Sequence, residues 1–450
     1  MATNSCDVVV IGLGPGGEAA AAELAKAGLD VVGIDERLVG GECPYFGCIP
    51  SKMIIRAANL LADGRRIDGA AGTAEVHPDW TPVHARIRDE ATDDWDDTVA
   101  VKRLEEAGAR FVRGHGRLVG PRRVEVDGEV FEATRGVLLN TGTRPATPPI
   151  DGLRDTPFWT NRDLLRADIL PASLGVVGGG PIGAELAQGV ARFGVQVTVL
   201  EVGPHLLGPV EPEAGTLVAD VFGDEGIQVL TGATISSVSH AQDRFTVVVD
   251  EQELTFEKLL VAAGRTPNLD DLGLETVDLD PSARSIEVDD RMRAGDGLWA
   301  IGDITGHGAF THMSVYESRI AVASILGQDG PAADYRAVPH VTFTDPEVGG
   351  VGMTEKQARE RGLNVRVGTI DLATSTRGWI AQARGLVKLV EDADRGVLVG
   401  ANVVGPAGGE ILAMLTTAVH AEVPTSTLGS MIYAYPTLHR AVSQAVEALA

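Results

Sequence analysis

The chain has 450 residues, including 55 glycines and three cysteines, and its formal net charge is −25 at pH 7. At roughly 150 residues per domain, this length predicts about three domains. So few cysteines exclude a scaffold held together by disulfides, and the negative charge makes nucleic acid and membrane surfaces poor partners. No apolar run reaches the roughly 18 residues of a membrane-spanning helix, and the opening MATNSCDVVVIG lacks a basic leader. We therefore expect a cytoplasmic protein.

The first predicted element is a dinucleotide-binding unit at residues 8–36, VVVIGLGPGGEAAAAELAKAGLDVVGIDE. An apolar strand leads into a G-x-G-x-x-G sequence formed by Gly12, Gly14 and Gly17, and an Ala/Leu-rich helix follows. The next strand ends at Asp35. Such glycines let the backbone approach a pyrophosphate, which the helix N-terminus binds, while the carboxylate accepts hydrogen bonds from ribose hydroxyls.

Two closely spaced cysteines follow this unit in GGECPYFGCIPSKMIIRAANLLA, residues 40–62. Cys43 and Cys48 precede an amphipathic helix, whose dipole would lower the pKa of a thiolate at its start. This placement favours a redox disulfide over two unpaired buried cysteines or half of a zinc site. Only Cys6 remains elsewhere, so no second cysteine pair completes a tetrahedral thiolate site, and we predict no metal.

Two further segments separate this unit from the next. Residues 75–100 are rich in Asp and carry the isolated aromatic Trp95, which predicts a solvated helical hairpin. NTGTRPATPPIDG, residues 140–152, follows a strand and ends in a proline-rich linker.

The dinucleotide-binding pattern returns at residues 175–201, GVVGGGPIGAELAQGVARFGVQVTVLE. Five positions of the first copy recur in the second at one constant offset along the chain. They are Gly12, Gly14, Gly17, Gly28 and Asp35, which become Gly178, Gly180, Gly183, Gly194 and Glu201. Two complete copies with matching acids predict that the chain binds two dinucleotides.

The remaining segments carry turn signals but no further phosphate-binding pattern. AAGRTPN (262–268) repeats the glycine, arginine and proline of the linker segment, and GLWAIGDITG (297–306) is a strand closed by an Asp-containing turn. From Pro339 to Ala450 the sequence indicates an α+β domain.

In combination, these segments resemble the class I pyridine nucleotide–disulfide oxidoreductases, the family of glutathione reductase, dihydrolipoamide dehydrogenase and mercuric reductase. The resemblance rests on GGECPYFGCIPSK, TGTRP, GGGPIGAELA, AAGRTPN, AIGDITG and VPHVTFTDPEVGGVGMTEKQA (338–358). It implies an α/β homodimer with two Rossmann-like dinucleotide-binding domains and a C-terminal α+β dimerisation domain. The implied ranges are 1–150 with 266–335 for FAD, 151–265 for NAD(P), and 336–450 for dimerisation.

The resemblance also implies the cofactor contacts. FAD would meet Gly12, Gly14, Gly17, Asp35, Glu36, Gly41, Lys52, Gly116, Thr141, Gly142, Asp303, Thr311 and His312. The nicotinamide side would comprise Gly178, Gly180, Gly183, Glu201 and Gly264. Within these sets, Asp35 would hold the adenosine ribose and Asp303 would lie near the ribityl chain and the pyrophosphate.

The implied chemistry passes a hydride from the nicotinamide to the flavin and then electrons to the disulfide. Cys48 would be the charge-transfer thiolate against the flavin, and Cys43 the interchange thiol that meets the acceptor. Lys52 would pair with Glu185 beside the flavin, as the corresponding residues do in the family.

The residues at the second acid favour NADH over NADPH, although NADPH stays possible. The Glu201 carboxylate suits a free 2′-hydroxyl and repels a 2′-phosphate. The following VGPHLLGP contains no arginine to hold that phosphate, and His205 is the only nearby candidate cation.

The chain departs from the family at its C-terminal end. The acid–base histidine is replaced by Tyr435 in MIYAYPTLHRAV, and its glutamate partner by Arg440. A phenol is a better proton donor than base at neutral pH, so His439 is the alternative acid–base residue. The C-terminal cysteine pair of mercuric reductases is also missing.

The sequence therefore does not identify the electron acceptor. The bulky Pro44, Tyr45 and Phe46 between the cysteines should reshape the acceptor side of the disulfide. The leading hypothesis is an FAD-dependent NAD(P)H oxidoreductase that reduces a small-molecule or protein disulfide, or a thiol-reactive acceptor, through Cys43 and Cys48. The alternatives are a reductase of quinones or other small acceptors directly from the flavin, and a flavoprotein subunit or redox sensor of a larger complex.

Overall fold

The structure is a computed structural model that describes residues 3–449, in which strands and helices alternate over much of the length. The strands are β1 (Thr3–Ile11), β2 (Val31–Asp35), β3 (Arg110–Arg113), β4 (Arg117–Gly120), β5 (Arg123–Val126), β6 (Glu129–Leu139), β7 (Thr143–Pro145), β8 (Ser173–Val177), β9 (Gln196–Glu201), β10 (Gln228–Thr231), β11 (Ile235–Ala241), β12 (Arg244–Val249), β13 (Gln252–Phe256), β14 (Lys258–Val261), β15 (Arg265–Pro267), β16 (Arg293–Gly295), β17 (Leu298–Ala300), β18 (Pro339–Thr342), β19 (Glu347–Gly352), β20 (Val365–Asp371), β21 (Leu386–Asp392) and β22 (Val397–Gly405).

The α-helices are α1 (Pro15–Lys26), α2 (Glu42–Phe46), α3 (Cys48–Arg65), α4 (Thr81–Arg86), α5 (Thr98–Glu106), α6 (Asn161–Arg166), α7 (Pro181–Ala191), α8 (Pro212–Asp224), α9 (Thr311–Leu326), α10 (Glu355–Glu360), α11 (Thr376–Ile380), α12 (Gly408–His420), α13 (Thr425–Ser430) and α14 (Arg440–Glu447). Among the described residues, no helix is long and apolar enough to cross a membrane.

The chain divides into two compact units. The first comprises Met1–Pro50, Ala85–Ala146 and Arg265–Tyr335, and the second comprises Ser51–His84, Thr147–Gly264 and Arg336–Ala450. Residues 51–84, which the sequence prediction placed with the FAD-binding range, cluster with the second unit. The ranges predicted for NAD(P) binding and for dimerisation lie together in that unit, so the boundary between them stays a prediction.

The first unit is built on a parallel sheet in the order β3-β2-β1-β6-β17, with β16 antiparallel to β17. The hairpin β4-β5 joins the sheet through β6. Val8, Val9 and Val10 on β1 are fully buried. Val8 and Val10 pack with residues of α1, α5 and α9 on one face of the sheet, and Val9 packs with residues of β4, β5 and β6 on the other. This is the strand order of a Rossmann-like domain, with α1 connecting β1 to β2.

The second unit repeats that arrangement. Its parallel sheet has the order β10-β9-β8-β14, with α7 between β8 and β9, and a three-stranded antiparallel sheet, β11-β12-β13, belongs to the same unit. Pro15 and Pro181, at equivalent positions of the two copies, are the first residues of α1 and α7. Proline suits this position because its missing N–H is not needed there. The predicted internal repeat is thus two Rossmann-like domains.

The C-terminal part of the second unit is α+β, as predicted. Five antiparallel strands have the order β18-β19-β22-β21-β20, with α12 packed against β19 and β22, and α14 against β20 and β21. Leu389, Leu415 and Val442, all fully buried, lie in the core between this sheet and the helices.

Residues 75–100 agree in outline with the predicted solvated helical hairpin, since most of them are exposed. A π-helical turn, Ile87–Ala91, follows α4 directly, and a turn then leads into α5. The prediction did not include the few side chains that are buried, among them Trp80 and Ile87, at 8% and 0% exposure.

Candidate active site

The first glycine-rich turn has the geometry of a phosphate-binding loop. A Cβ on Gly12 would overlap the carbonyl of Asn140, and one on Gly17 would overlap the carbonyl of Gly12. Gly14 is the N-cap of α1 and has no side chain that could accept a hydrogen bond. The first N–H groups of the helix are therefore not capped by this residue's side chain. A cradle that excludes side chains and presents helical N–H groups fits the pyrophosphate of FAD.

The second glycine-rich turn has the same construction. A Cβ on Gly178 would overlap the carbonyl of Ala262, and one on Gly183 would overlap the carbonyl of Gly178. Gly180 caps α7, again without a side-chain hydrogen bond. These glycines therefore fit the pyrophosphate of a second dinucleotide.

The acids that end β2 and β9 are held in the same way in both copies. The carboxylate of Asp35 accepts the N–H groups of Leu13 and Arg37, both at 2.7 Å. Burial, the largest influence, raises the pKa of Asp35 despite these two donors. Each carboxylate oxygen keeps a further lone pair, so a ribose hydroxyl can still donate to it.

Glu201 repeats this arrangement in the second unit. Its two oxygens accept the N–H groups of Gly179 and Gly203, both at 2.6 Å. Gly179 and Gly203 are the counterparts of Leu13 and Arg37 in the second copy, so the sequence repeat extends to the hydrogen bonds of the acids.

The two cysteines lie together at the start of α3. Cys48 is the first residue of α3 and Cys43 lies in α2; both are unlinked thiols, and their side chains hydrogen-bond to each other. Thr311, the first residue of α9, places its hydroxyl oxygen 3.5 Å from Cys48 Sγ and also hydrogen-bonds Cys43. A pair of thiols beside a hydroxyl and a helix N-terminus has the construction of a reactive dithiol.

The protons of this pair are not equivalent. The hydrogen bond to Cys48 and burial raise the pKa of Cys43 well above the usual range, and the hydroxyl of Thr311 only partly opposes them. The raised pKa keeps the Cys43 thiol protonated at neutral pH, and Cys48 lies at the N-terminus of α3.

The aromatic residues between the cysteines turn inward. Tyr45 and Phe46 are buried, at 6% and 9% exposure, and the Tyr45 hydroxyl donates to the carbonyl of Val39 at 3.1 Å. They hold the loop from inside the first unit, and the predicted effect of these residues on the acceptor side of the disulfide stays a prediction. An apolar ring gains more from burial than from lining a solvated opening.

Lys52 and Glu185 form an ion pair in the second unit, with Lys52 Nζ 2.8 Å from a carboxylate oxygen of Glu185. The other oxygen accepts the N–H of Phe343 at 2.8 Å, and the ammonium lies 4.7 Å from the centroid of the Phe343 ring. The Glu185 side chain is only 7% exposed. A buried carboxylate with a hydrogen-bond partner at each oxygen is held in one position, whereas a charged side chain on the surface is not.

Asp303 is held by two residues whose role sequence reasoning missed. Thr143 donates its hydroxyl to Asp303 at 2.6 Å, and Arg265 donates to the hydroxyl and carbonyl oxygens of Thr143 at 2.6 and 2.8 Å. Thr143 and Arg265 belong to the paired strands β7 and β15. The two segments share a glycine, arginine and proline pattern in the sequence, which indicated a linker but gave Thr143 and Arg265 no role at Asp303.

Glu317 is a third residue whose role the sequence did not indicate. It is fully buried in α9 and accepts the N–H of Gly302 at 2.6 Å and the hydroxyl of Tyr335 at 2.9 Å. Burial raises its pKa. Glu317 thereby fixes the turn that carries Asp303. Nothing in the sequence distinguishes it from a glutamate on a helix surface.

Other predicted positions in the first unit have protein partners of their own. The carboxylate of Glu36 lies 3.1 Å from Nδ1 of His115, and the Thr141 hydroxyl donates to the carbonyl of Asn268 at 2.7 Å. The remaining ones lie at ends of helices and strands: Gly41 before α2, Gly116 between β3 and β4, Gly142 between β6 and β7, and His312 in the first turn of α9. Gly264 follows β14 in the second unit.

The residues at the altered C-terminal motif lie on the second unit. Tyr435 is 67% exposed and donates its hydroxyl to the hydroxyl oxygen of Thr376 at 3.1 Å. His439 immediately precedes α14, with Nε2 3.5 Å from the hydroxyl of Thr437, and the guanidinium of Arg440 lies 6.0 Å from the Tyr435 ring centroid.

Cys6 lies apart from this chemistry. It is 3% exposed in β1, and burial, with the nearby Asp30 as the second influence, raises its pKa to about 11. Within residues 3–449, no group of three or more His, Cys, Asp or Glu residues could hold a metal ion.

Comparison with known proteins agrees with this geometry. The chain is similar to the dihydrolipoyl dehydrogenase of Thermus scotoductus, with 34% identity over 465 residues, covering 98% of this chain and 97% of that protein. It is similar to the mercuric reductase of Acidithiobacillus ferrooxidans, with 32% identity over 440 residues and coverage of 96% and 80%. Among solved structures, the Cu(II) complex of the HOCl-induced flavoprotein disulfide reductase RclA from Escherichia coli superposes with a TM-score of 0.85, 27% identity and 99% coverage of both chains.

Family models match both parts of the chain. Residues 6–323 match the pyridine nucleotide-disulphide oxidoreductase model, and residues 338–446 match the dimerisation domain of the same family, which indicates a homodimer. The chain therefore belongs to the pyridine nucleotide-disulphide oxidoreductases, enzymes that use FAD and a pyridine nucleotide.

Proposed function

We propose that this protein is an FAD-dependent disulfide reductase that takes electrons from NADH and delivers them through Cys43 and Cys48 to a disulfide or another thiol-reactive acceptor. The observation that carries the proposal is the pair of free thiols at the start of α3, which are hydrogen-bonded to each other and to the hydroxyl of Thr311. We expect the enzyme to work in the cytoplasm, as a homodimer.

The two glycine-rich turns support the assignment of two dinucleotides. The turn at Gly12 and the acid Asp35 would hold FAD, and the turn at Gly178 and the acid Glu201 would hold the nicotinamide nucleotide. Asp303, fixed by Thr143, would accept hydrogen bonds from FAD hydroxyls. When bound, FAD supplies two-electron transfer between the nicotinamide and the thiol pair.

The reduction of a Cys43–Cys48 disulfide by NADH balances in electrons and protons. Opening a Cys43–Cys48 disulfide breaks one S–S bond and consumes two electrons and, for two thiols, two protons. The hydride of NADH supplies both electrons and one proton, and solvent supplies the other. We propose that Cys48, the first residue of α3, carries the charge of the half-deprotonated pair, because the N-terminus of a helix stabilises an anion.

The acceptor step would be thiol–disulfide exchange. Cys43 passes its proton to the Cys48 thiolate beside it and then attacks one sulfur of the acceptor disulfide, which forms a mixed disulfide and releases the first acceptor thiolate. That thiolate takes up the proton from Cys48, and Cys48 attacks Cys43, re-forms the internal disulfide and releases the second acceptor thiolate, which solvent protonates. The acceptor gains the two electrons that NADH gave up.

The names of the relatives support a thiol-reactive acceptor. They refer to a dihydrolipoyl group, which is a dithiol, to mercuric ion, and to a complex with Cu(II). Disulfides and such metal ions share a strong reaction with thiolates. Because Tyr435 stands in place of the family's histidine, we infer an acceptor whose reduction needs no imidazole base, with Tyr435 or His439 as a hydrogen-bond donor at most.

The resemblance to the family suggests a role for the buried pair of Lys52 and Glu185, because Lys52 follows Cys48 by four residues in α3. An ammonium held at 2.8 Å from a buried carboxylate keeps a fixed position, which a free lysine on a helix does not. We propose that Lys52 stabilises negative charge that develops when electrons enter the site, and that Glu185 orients it.

An anaerobic titration with NADH tests the proposal. We expect two-electron reduction to produce a long-wavelength charge-transfer absorption and, in parallel, two thiols that react with an alkylating agent and map to Cys43 and Cys48. The band should vanish in Cys48→Ser. Flavin bleaching without the band and without new thiols would contradict the assignment of the cysteine pair.

The coenzyme preference is a separate expected result. The kcat/KM for NADH should exceed that for NADPH by about tenfold or more, because the Glu201 carboxylate repels a 2′-phosphate and like charges in contact cost several kcal/mol. Glu201→Gln should lower the NADH:NADPH ratio of kcat/KM, since the amide carries no charge. It should also weaken the binding of both coenzymes, because the amide NH2 group leaves one of the Gly179 and Gly203 N–H groups without an acceptor. Equal use of both coenzymes by the unaltered enzyme would contradict the assignment.

A further inference from the structure

A strained turn lies next to the redox-active segment in the first unit. The π-helical turn Ile87–Ala91 leads into three consecutive non-glycine residues in the left-handed region, Asp93, Asp94 and Trp95, with φ of 48°, 55° and 57°. Asp tolerates this conformation, but a bulky tryptophan rarely adopts it. Strain of this kind persists only where the surroundings enforce it, and it concentrates at functional sites.

Thr92 enforces the turn from inside. It is 1% exposed, and its hydroxyl donates to the carbonyl of Ile87 at 3.0 Å and accepts the N–H of Trp95 at 3.3 Å. These two hydrogen bonds fix the backbone of the turn, and so they fix the direction in which the Trp95 side chain leaves it.

The Trp95 indole is directed at the segment between the two cysteines. Its N–H donates to the carbonyl oxygen of Tyr45 at 3.2 Å. Tyr45 is the second of the four residues that separate Cys43 from Cys48, so this bond fixes the backbone midway between the two thiols.

A second contact from the same turn reaches Val39, which precedes that segment in the chain. Asp97 accepts the N–H of Val39 at 2.7 Å, and the carbonyl of Val39 accepts the buried hydroxyl of Tyr45 at 3.1 Å. Burial raises the pKa of Tyr45 to about 12, so its hydroxyl stays a donor at neutral pH. Residues 92–97 therefore hold Tyr45 twice, once directly and once through Val39.

We propose that residues 92–97 act as a clamp, with Trp95 as a positioning residue that holds Cys43 and Cys48 at the separation required for their disulfide. The inference rests on the proposed function of the cysteine pair and adds a determinant of its redox potential. A disulfide is favoured in proportion to the effective concentration of its two thiols, which a fixed loop raises. Loosening the clamp should make the disulfide easier to reduce.

The test measures the thiol–disulfide equilibrium, which does not depend on NADH or on the acceptor. The holoenzyme and its variants would be equilibrated anaerobically in mixtures of oxidised and reduced dithiothreitol, trapped with an alkylating agent, and analysed by the mass of the Cys43–Cys48 peptide. For Trp95→Phe we expect the equilibrium to shift toward the dithiol by about three- to tenfold, the effect of one hydrogen bond, where tenfold corresponds to about 30 mV.

Trp80→Phe is the matched control, because the Trp80 indole donates to the carbonyl of Ala167, at 2.8 Å, in the second unit. It should leave the equilibrium within about twofold of the unaltered protein. Tyr45→Phe, which removes the hydroxyl bond to Val39, should shift it in the same direction as Trp95→Phe. Unchanged equilibria in both Trp95→Phe and Tyr45→Phe, or an equal shift in Trp80→Phe, would overturn the proposal. If the pair forms no disulfide in the unaltered protein, the proposed function itself fails.

Discussion

Replacing Cys43 by Ser is expected to lower the turnover of disulfide acceptors by about a thousandfold or more, the range seen when a catalytic nucleophile is removed. A serine hydroxyl cannot form the mixed disulfide through which Cys43 would transfer electrons. FAD content and reduction of the flavin by NADH should persist, because the glycine-rich turns are untouched. Stopped-flow reduction and steady-state assays with a panel of disulfides and quinones would measure the two half-reactions separately.

Cys6→Ser is the control for this prediction. Cys6 is buried in β1 and its pKa is raised to about 11, so its loss should leave turnover unchanged. Undiminished disulfide turnover in Cys43→Ser would contradict the proposed route. Quinone turnover that survives in this variant would show electrons leaving directly from the flavin. Retained FAD without NADH oxidation by any acceptor would favour a subunit or sensor role.

Gly183→Ala is expected to weaken NADH binding by about ten- to hundredfold while FAD stays bound. The added Cβ would overlap the carbonyl oxygen of Gly178, so the turn must open, and overpacking of this kind costs about 1–3 kcal/mol. The turn would then no longer present its N–H groups to a pyrophosphate. Calorimetric titration with NAD⁺ would give the affinity, and absorption would give the FAD content.

The equivalent substitution in the first glycine-rich turn provides a comparison for Gly183→Ala. Gly17→Ala would create the same overlap with Gly12 in the first unit, so it should lower FAD content and leave the NAD⁺ turn intact. Gly223→Ala, in α8 with open space around the new methyl group, is the folding control. Equal loss of both dinucleotides in Gly183→Ala would mean that the substitution unfolds the protein and would contradict a local effect.

The two dinucleotide-binding domains were predictable because their signals are local. Each depends on glycines within one turn and on an acid at the end of the next strand, so a few tens of residues contain the whole pattern. The structure confirmed the two Rossmann-like domains and the α+β C-terminal domain. It added that Asp35 and Glu201 are held by backbone N–H groups at equivalent positions of the two copies.

The surroundings of the cysteines were less predictable. The bulk of Tyr45 and Phe46 predicted an effect on the acceptor side of the disulfide, and the structure adds that both rings are buried. The Asp-rich composition around Trp95 suggested a solvated hairpin, yet a left-handed turn directs its indole to the Tyr45 carbonyl. Side-chain direction depends on backbone conformation and on what packs beneath, which local composition does not specify.

Short patterns of residue types in the sequence predicted the family, the two glycine-rich turns and the cysteine pair, and they indicate that Tyr435 replaces the family's histidine. Only the tertiary structure showed the residues that fix these groups, such as Glu317 on the Asp303 turn and Thr311 beside the thiols. Glu317 and Gly302 are 15 residues apart, and Thr311 and Cys48 are 263 apart. Hydrogen bonds between residues so distant in sequence form only after folding has brought their strands and helices together, so no local pattern encodes them.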